Sequence, residues 1–384
     1  MSSVQKTIDR LTKRMRGIDI PFSIEFPSGE KHAVGRGESE FQLSFRNSRS
    51  LGALRTLDKI EFVDAYFHGS IDLEGNMLKL FALRAELGGP HPLIKVWHSV
   101  RRLLSRYIFS NQRAIASSYD PKLLMSFLDP LIPAYTHGVH GHDEEPLATA
   151  LVRKFEFAIV RCGLEAGKTV LDIGPRWGAF TAYALQAGVS LTGLTSSEAS
   201  LSHLKSKFGG FGSRFRIMLG DILNYDTNEK FDVIVIMGTL GHFPLHTRVL
   251  NKIYYLLKPG GRVYLDESIA SETHNYSLLN LNDFLDRLAK SGLEVMEVHN
   301  DRWSNHLTYR QWARNFEANK SYVQRTFGDV EYRKFRFYLW GAAYAFLARK
   351  LDCYRLILHK PKDEVIEHIG EAVLVTKDGL RRSI

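Results

Sequence analysis

The residues with the clearest chemical content lie between 170 and 180, VLDIGPRWGAF. An apolar run that ends near Asp172 and passes Gly174 and Gly178 into a helix start is a nucleotide-binding arrangement, because glycines let backbone approach a ligand closely. Asp172 can accept hydrogen bonds from a ligand amine or hydroxyl there, or cap the turn that follows. Asp221, after the run RFRIML, can accept from an adenine amino group, or simply begin a loop. Pro175 and Arg176 interrupt the glycine pattern: proline fixes φ and removes a donor, and a guanidinium stands between the two glycines. Two orientations stay open. Pointing inward, Arg176 fills space a ligand needs; turned outward, or paired with a ligand carboxylate, it leaves an altered site in place.

Alternating elements must position these residues. From residue 146 on, TVLDIG reads as a buried strand, AFTAYALQAG as a helix closed by Gly188, and VSLTGLT, RFRIML and FDVIVIM as further strands. A helix through VLNKIYYLLKPGG and a strand RVYLDE follow. Helices alternating with strands imply right-handed crossovers and an α/β fold with a mostly parallel twisted sheet covered on both faces. Function gathers at the carboxyl ends of such strands, here around 172–178, 195, 221 and 237–243. Beyond them come a strand LEVMEVHN, a helical region over 307–327, a helix KFRFYLWGAAYAFLARK and a last strand CYRLILH. In the N-terminal part, IPFSIEF and FQLSF alternate as strands around the turn PSGEKH, with SLGALRTL and LEGNMLKLFAL as short helices. That makes a smaller N-terminal α+β domain. The expected division is 1–90 for substrate docking, 91–145 as helical connector and lid, and 146–384 as the catalytic domain.

The 384 residues carry 44% hydrophobic and 24% charged side chains and a formal charge of +9, values of a globular chain with a basic surface. That charge fits an anionic membrane face or nucleic acid, or an ordinary solvated surface. No apolar run approaches the roughly 20 residues a spanning helix needs. The N-terminus lacks a signal-peptide core, and Ile8, Leu11 and Met15 give it the spacing of a basic amphipathic helix. KVWHSVRRLLSRYIF has the same character and can lie on an anionic membrane or be a plain surface helix. Two distant cysteines, Cys162 and Cys353, have no metal-ligand spacing, so no metal is expected and the cytoplasm is the expected setting, with peripheral association at the inner membrane surface as an extension.

The order VLDIG, LTGLTSSE, GDILNY, FDVIVIMGTLGHF and YLLKPGGRVYL resembles a class I, Rossmann-like S-adenosylmethionine-dependent methyltransferase. More closely, the chain resembles the cyclopropane fatty acid synthase family, whose members transfer a methyl group to a lipid double bond. FVDAYFHGSIDLEG is similar to that family's GEAYMDGWWD-type segment, SSYD to its HYD element, FLDP to its LDP, and FRFYLWGAAYAFLARKLDCYRLILHK to its C-terminal run. The likeness extends over roughly residues 40 to 360.

The resemblance implies S-adenosylmethionine as cofactor. Asp172, Gly174 and Gly178 would line its methionine end, Trp177 would match the aromatic residue after the central glycine, Thr195 and Ser197 would lie near the ribose, Asp221 near the adenine, and Tyr119 over the sulfonium. It also implies an unsaturated lipid or other hydrophobic acceptor and leaves a homo-oligomer open. The family holds a bicarbonate ion with Cys, Glu, Tyr and His side chains. Here Gly241 stands at the Glu position, Tyr135 and Thr136 remain of the YSC element without a cysteine, and Asn305 stands at the Tyr position. An alkylation without that ion is expected, with His242, His306 and Tyr135 as catalytic candidates and His137 as a further imidazole. A shorter segment between the fifth and sixth strands implies an acceptor smaller than a phospholipid acyl chain or shaped differently from it. The second reading is a non-catalytic homologue that binds a lipid or partner. Nucleic-acid methylation has no basic-aromatic motif to support it.

Overall fold

Apolar and polar side chains alternate along Phe22–Glu25 (β1) and Phe41–Phe45 (β3), so each buries one face. Lys31–Val34 (β2) folds back on β1 in antiparallel register, while β3 runs parallel to β1. This strand begins at the last two residues of the expected turn PSGEKH; the tight reversal is made at Gly29, whose φ is +82°. Helix α1 (Lys59–Phe67), strand β4 (Ile71–Gly75) and helix α2 (Met77–Glu86) complete this part. The expected helix over LEGNMLKLFAL begins only at Met77, because Leu73 to Gly75 pair with β3.

The computed structural model describes residues 20–47, 50, 59–86, 120–240, 246–270 and 281–362. The basic amphipathic stretches at the N-terminus and at 95–109 lie outside them, and no helix among the described residues is long and apolar enough to cross a membrane.

After the short helix α3 (Pro121–Met125) the elements are α4 (Leu147–Cys162), β5 (Thr169–Ile173), α5 (Ala179–Gln186), β6 (Ser190–Thr195), α6 (Glu198–Phe208), β7 (Phe215–Leu219), β8 (Phe231–Met237) and α7 (His246–Leu256). Then come β9 (Leu257–Ala270), α8 (Leu281–Ala289), β10 (Glu294–Asn300), α9 (Arg302–Ala318), α10 (Lys320–Phe327), α11 (Asp329–Leu347) and β11 (Leu351–His359). The helix expected through KPGG stops at Leu256. Pro259 disfavours helix at the residue before it and cannot donate, Gly260 has φ +80°, and the segment joins β9 instead.

The chain divides into two units, residues 1–129 with 308–345 and residues 130–307 with 346–384. In the first unit Arg333 Nη2 binds Asp72 at 2.6 Å, and Arg336 Nη1 donates to the Leu73 carbonyl at 3.0 Å, which ties α11 to the N-terminal strands. Among the described residues, that unit holds a four-stranded sheet of order β2-β1-β3-β4.

Among the described residues, the second unit holds a seven-stranded sheet of order β10-β11-β9-β8-β5-β6-β7. Strands β5 to β9 are mutually parallel and β11 is antiparallel to β9. Leu171, Ile173, Ile234, Ile236, Val263 and Leu265 bury near-continuous apolar strands against Val249 and Ile253 of α7 and Phe284 of α8. This is the Rossmann-like α/β class expected. The order reverses between β5 and β8, which places a crevice at their carboxyl ends.

Gly178 and Gly163 test what holds these turns. Both have positive φ, but a Cβ on Gly178 would lie 2.4 Å from Phe208 Cε2, whereas one on Gly163 would meet nothing within 4 Å. Gly163→Ala should lose about 1–2 kcal/mol of unfolding free energy from backbone strain, and Gly178→Ala about 2–4 kcal/mol because overpacking adds to it. Equal losses in urea unfolding would show that α6 does not press on the turn.

Candidate active site at the exits of β5 and β8

Three residues between β5 and α5 have left-handed backbone: Gly174 at φ +78°, Arg176 at +52° and Gly178 at +74°. The two glycines make room for protein. A Cβ on Gly174 would lie 2.7 Å from Thr239 Oγ1, and one on Gly178 would strike Phe208 and Leu204 of α6. Arg176 has no such licence, and a non-glycine residue in this region is strained by about 1–2 kcal/mol.

Arg176 is held at both ends. Ser200 Oγ on α6 donates to its carbonyl at 2.5 Å, and its own Nη2 donates to the Gly238 carbonyl at 2.7 Å. The guanidinium carbon lies 5.0 Å from the centre of the Tyr135 ring. The side chain runs from the turn after β5 to the exit of β8 and lines the hollow there, which is the inward of the two orientations open in the sequence.

The open hollow at this point is lined by Tyr135, Thr136, Asp172, Gly174, Arg176 and Trp177, with Phe155, Phe180 and Met237 as apolar wall. Asp172 is 3% exposed. Burial pushes its carboxyl up to about 7, against a hydrogen bond from Thr181 Oγ1 at 3.1 Å that favours the charged form. Trp177 stacks edge-on against His203 at 5.2 Å, and Lys207 donates to its carbonyl.

The remaining candidates occupy other positions. Thr195 ends β6 and accepts at Oγ1 from Ser197 N at 3.2 Å; Ser197 caps α6 through Ser200 N at 3.3 Å. Asp221 caps a short 3-10 turn, accepting at Oδ1 from Leu223 N at 2.7 Å. Gly178 faces α6, and His306 is buried on α9 with its ring 5.0 Å from Trp303. The hollow therefore brings together Asp172, Gly174, Trp177 and Tyr135 of the candidates. Tyr119, Gly241 and His242 lie outside the described residues.

A buried charged cluster adjoins the hollow through Thr136. Lys154, fully buried on α4, pairs with Asp266 of β9 at 2.8 Å and donates to Thr136 Oγ1 at 2.6 Å. It also reaches His137 Nδ1 at 3.4 Å, while His137 Nε2 faces Asp301 Oδ2 at 3.2 Å and Arg355 Nε lies 3.1 Å from the same oxygen. A lysine on one ring nitrogen and a carboxylate on the other fix the neutral tautomer with its proton on Nε2. Burial and the Lys154 charge push the His137 pKa down, against the pull of Asp301. Burial opposes ionisation of Asp301, but His137, Arg355 and Lys154 together hold its carboxyl below the usual range. Two cations and two carboxylates thus balance around a neutral imidazole, so His137 serves as a bridge. The sequence carried a signal for this cluster: Lys154 falls on the buried stripe Leu147, Ala150, Leu151, Phe155 and Ala158, and Asp266 interrupts an apolar strand.

The family model described as mycolic acid cyclopropane synthetase matches residues 109–356, and one described as a domain of unknown function (DUF7884) matches residues 10–87. Cyclopropane mycolic acid synthase MmaA2 of Mycobacterium tuberculosis (strain ATCC 25618 / H37Rv) is 27% identical over 266 residues, covering 61% of this chain and 91% of that protein. A probable fatty acid methyltransferase of Pseudomonas putida is 21% identical over 384 aligned residues, covering 92% of this chain and 95% of its own length. The solved structure of cyclopropane synthase MmaA2 from Mycobacterium tuberculosis superposes with a TM-score of 0.59 at 22% identity, covering 63% of this chain and 95% of that one. At that identity the structural likeness is one of fold.

Two stability measurements check this electrostatic picture. Asp266→Ala leaves Lys154 buried without its carboxylate and should lose about 3–5 kcal/mol, whereas Lys154→Met combined with Asp266→Leu should recover most of it; additive losses would mean the two charges do not interact. For Asp172 the folded pKa near 7 lies above the ordinary 3.8, so the native chain binds a proton that the unfolded chain releases. The stability contribution is fully present below about pH 4 and falls as pH rises through about 7. Asp172→Asn escapes this, so its stability relative to wild type should rise across that window by up to about 4 kcal/mol. A pH-independent difference would contradict the buried carboxyl.

Proposed function

The chain belongs to the mycolic acid cyclopropane synthetase family of class I S-adenosylmethionine-dependent methyltransferases, and from that premise we propose that it alkylates a carbon-carbon double bond of an unsaturated lipid or similar hydrophobic acceptor. The carrying observation is the hollow at the β5/β8 reversal, where a buried carboxyl and the rings of Tyr135, Trp177, Phe155 and Phe180 converge. These residues fit a sulfonium nucleoside: aromatic faces attract a sulfonium cation by about 0.5–2 kcal/mol, and Asp172 offers an acceptor that its burial leaves poorly solvated.

When bound, S-adenosylmethionine supplies an electrophilic methyl group. The chain's own residues would do the rest. Asp172, Gly174 and Trp177 would hold the amino-acid end, with Gly178 shaping the turn behind them, Thr195 and Ser197 would lie on the ribose side and Asp221 at the adenine, with Tyr119 over the sulfonium. Alkylation of an alkene leaves a cation that must lose a proton, and His242, His306 and Tyr135 are the groups proposed to receive or relay it. The ring-closing bicarbonate cage is proposed to be absent, since Gly241 and Asn305 offer no carboxylate or phenol. We assign residues 1–90 to acceptor docking, 91–145 to a connector and lid, and the basic stretches to peripheral contact with an anionic membrane.

Lipid profiling of cells with and without the protein should show unsaturated chains gaining one CH2, with fragmentation locating it at the former double bond. Profiles identical in mass would favour the non-catalytic reading, for which the arginine between Gly174 and Gly178 is the specific observation.

A further inference from the structure

Two features suited to a cation lie at the hollow: the ring of Tyr135, which lines it, and the carbonyl of Gly238, the residue that follows the lining Met237 at the exit of β8. Arg176 already uses both, at 2.7 Å and 5.0 Å. Ser200 Oγ holds its carbonyl, and the glycines on either side leave no room for a Cβ beside Thr239, Leu204 and Phe208. Left-handed backbone at a long side chain is retained only where its contacts compensate for the strain. Here one of those contacts, the Tyr135 ring, lines the hollow, and another, the Gly238 carbonyl, adjoins it.

We propose that Arg176 is a specificity-determining residue of the cofactor site: an internal cation that occupies the subsite for a ligand's amino-acid end and must be displaced before a sulfonium nucleoside seats. The inference rests on the reading of the hollow as the S-adenosylmethionine site. A ligand ammonium needs a backbone acceptor of the kind Arg176 holds, and a sulfonium needs an aromatic face of the kind it covers. Apparent affinity is the intrinsic affinity reduced by the fraction of chains in which Arg176 has swung away. A nucleoside without the amino-acid end does not compete for the Gly238 carbonyl and escapes this reduction.

The test is calorimetric titration of the full chain, wild type, Arg176→Gly and Arg176→Gln, with S-adenosylhomocysteine and with 5′-methylthioadenosine. Arg176→Gly should bind S-adenosylhomocysteine at least about tenfold more tightly than wild type, the effect of removing one competing charged hydrogen bond. Affinity for 5′-methylthioadenosine should stay within about twofold of wild type, and Arg176→Gln, which keeps the length without the charge, should fall between. Urea midpoints report whether each variant is folded; if the glycine variant is not, the glutamine variant alone carries the comparison. Weaker binding of S-adenosylhomocysteine by the variants would make Arg176 a clamp on the ligand carboxylate and overturn the proposal, as would equal gains for both nucleosides or no gain. In those cases wild-type binding still supports the cofactor reading. If neither wild type nor variant binds either nucleoside, the cofactor reading and this inference fall together.

Discussion

The site depends on a turn that is left-handed at three of its five positions. The chain leaves β5 at Ile173 and enters α5 at Ala179, and Gly174, Arg176 and Gly178 all take positive φ in between. Two of these are relieved by being glycine; the third is not. What holds the turn is α6, which buttresses it from behind through Leu204 and Phe208 against Gly178 and through Ser200 against the carbonyl of Arg176. With the backbone so fixed, the direction in which the arginine leaves its Cα is fixed too, and it leads to the exit of β8.

From there the contacts close on themselves. Arg176 binds the Gly238 carbonyl and lies on Tyr135; Thr136, the next residue, accepts from Lys154; Lys154 pairs with Asp266; and the Asp266 carbonyl accepts from Gly238 N–H at 3.0 Å. The buried ion pair within this circuit is weak evidence for stability, since apolar residues of similar volume often serve as well. Its contribution is positional. A charge pair with defined hydrogen bonds holds the 135–137 segment against α4 and β9 in one register, and Tyr135 is thereby held under the guanidinium.

The sheet and its order of elements were legible because strands buried on both faces read as apolar runs with helices between them, and each run from TVLDI to RVYL became a strand. Legibility failed where backbone conformation overrode pattern. LEG of the second N-terminal segment is a strand because Leu73 to Gly75 find a partner in β3, which a linear pattern does not reveal. KPGG is extended because proline and a left-handed glycine forbid the helix that the preceding apolar period predicts. In the site, Asp172 and Gly174 could be placed from their position at a strand end. The glycine roles could not, because their missing side chains make room for Thr239 and Phe208, residues far along the chain. Lys154 was hidden for the opposite reason: a charged residue on a buried stripe looks like an exception until Asp266 and Thr136 are brought beside it.

The electrostatics of the hollow constrain how a methyl donor can enter. It contains a guanidinium held by two contacts and a carboxyl that burial keeps partly protonated near neutrality, so it does not present the full negative charge that would draw in a second cation. A sulfonium arriving beside the guanidinium meets repulsion that a low-dielectric wall of Phe155, Phe180 and Met237 does little to screen. Attraction to the Tyr135 face becomes available only as the arginine gives it up. Seating of the cofactor then exchanges one cation for another over the same ring, so the gain at that ring is only the difference between two similar interactions. That difference is small compared with either interaction alone, which is why a single side chain between two glycines can govern occupancy of the site.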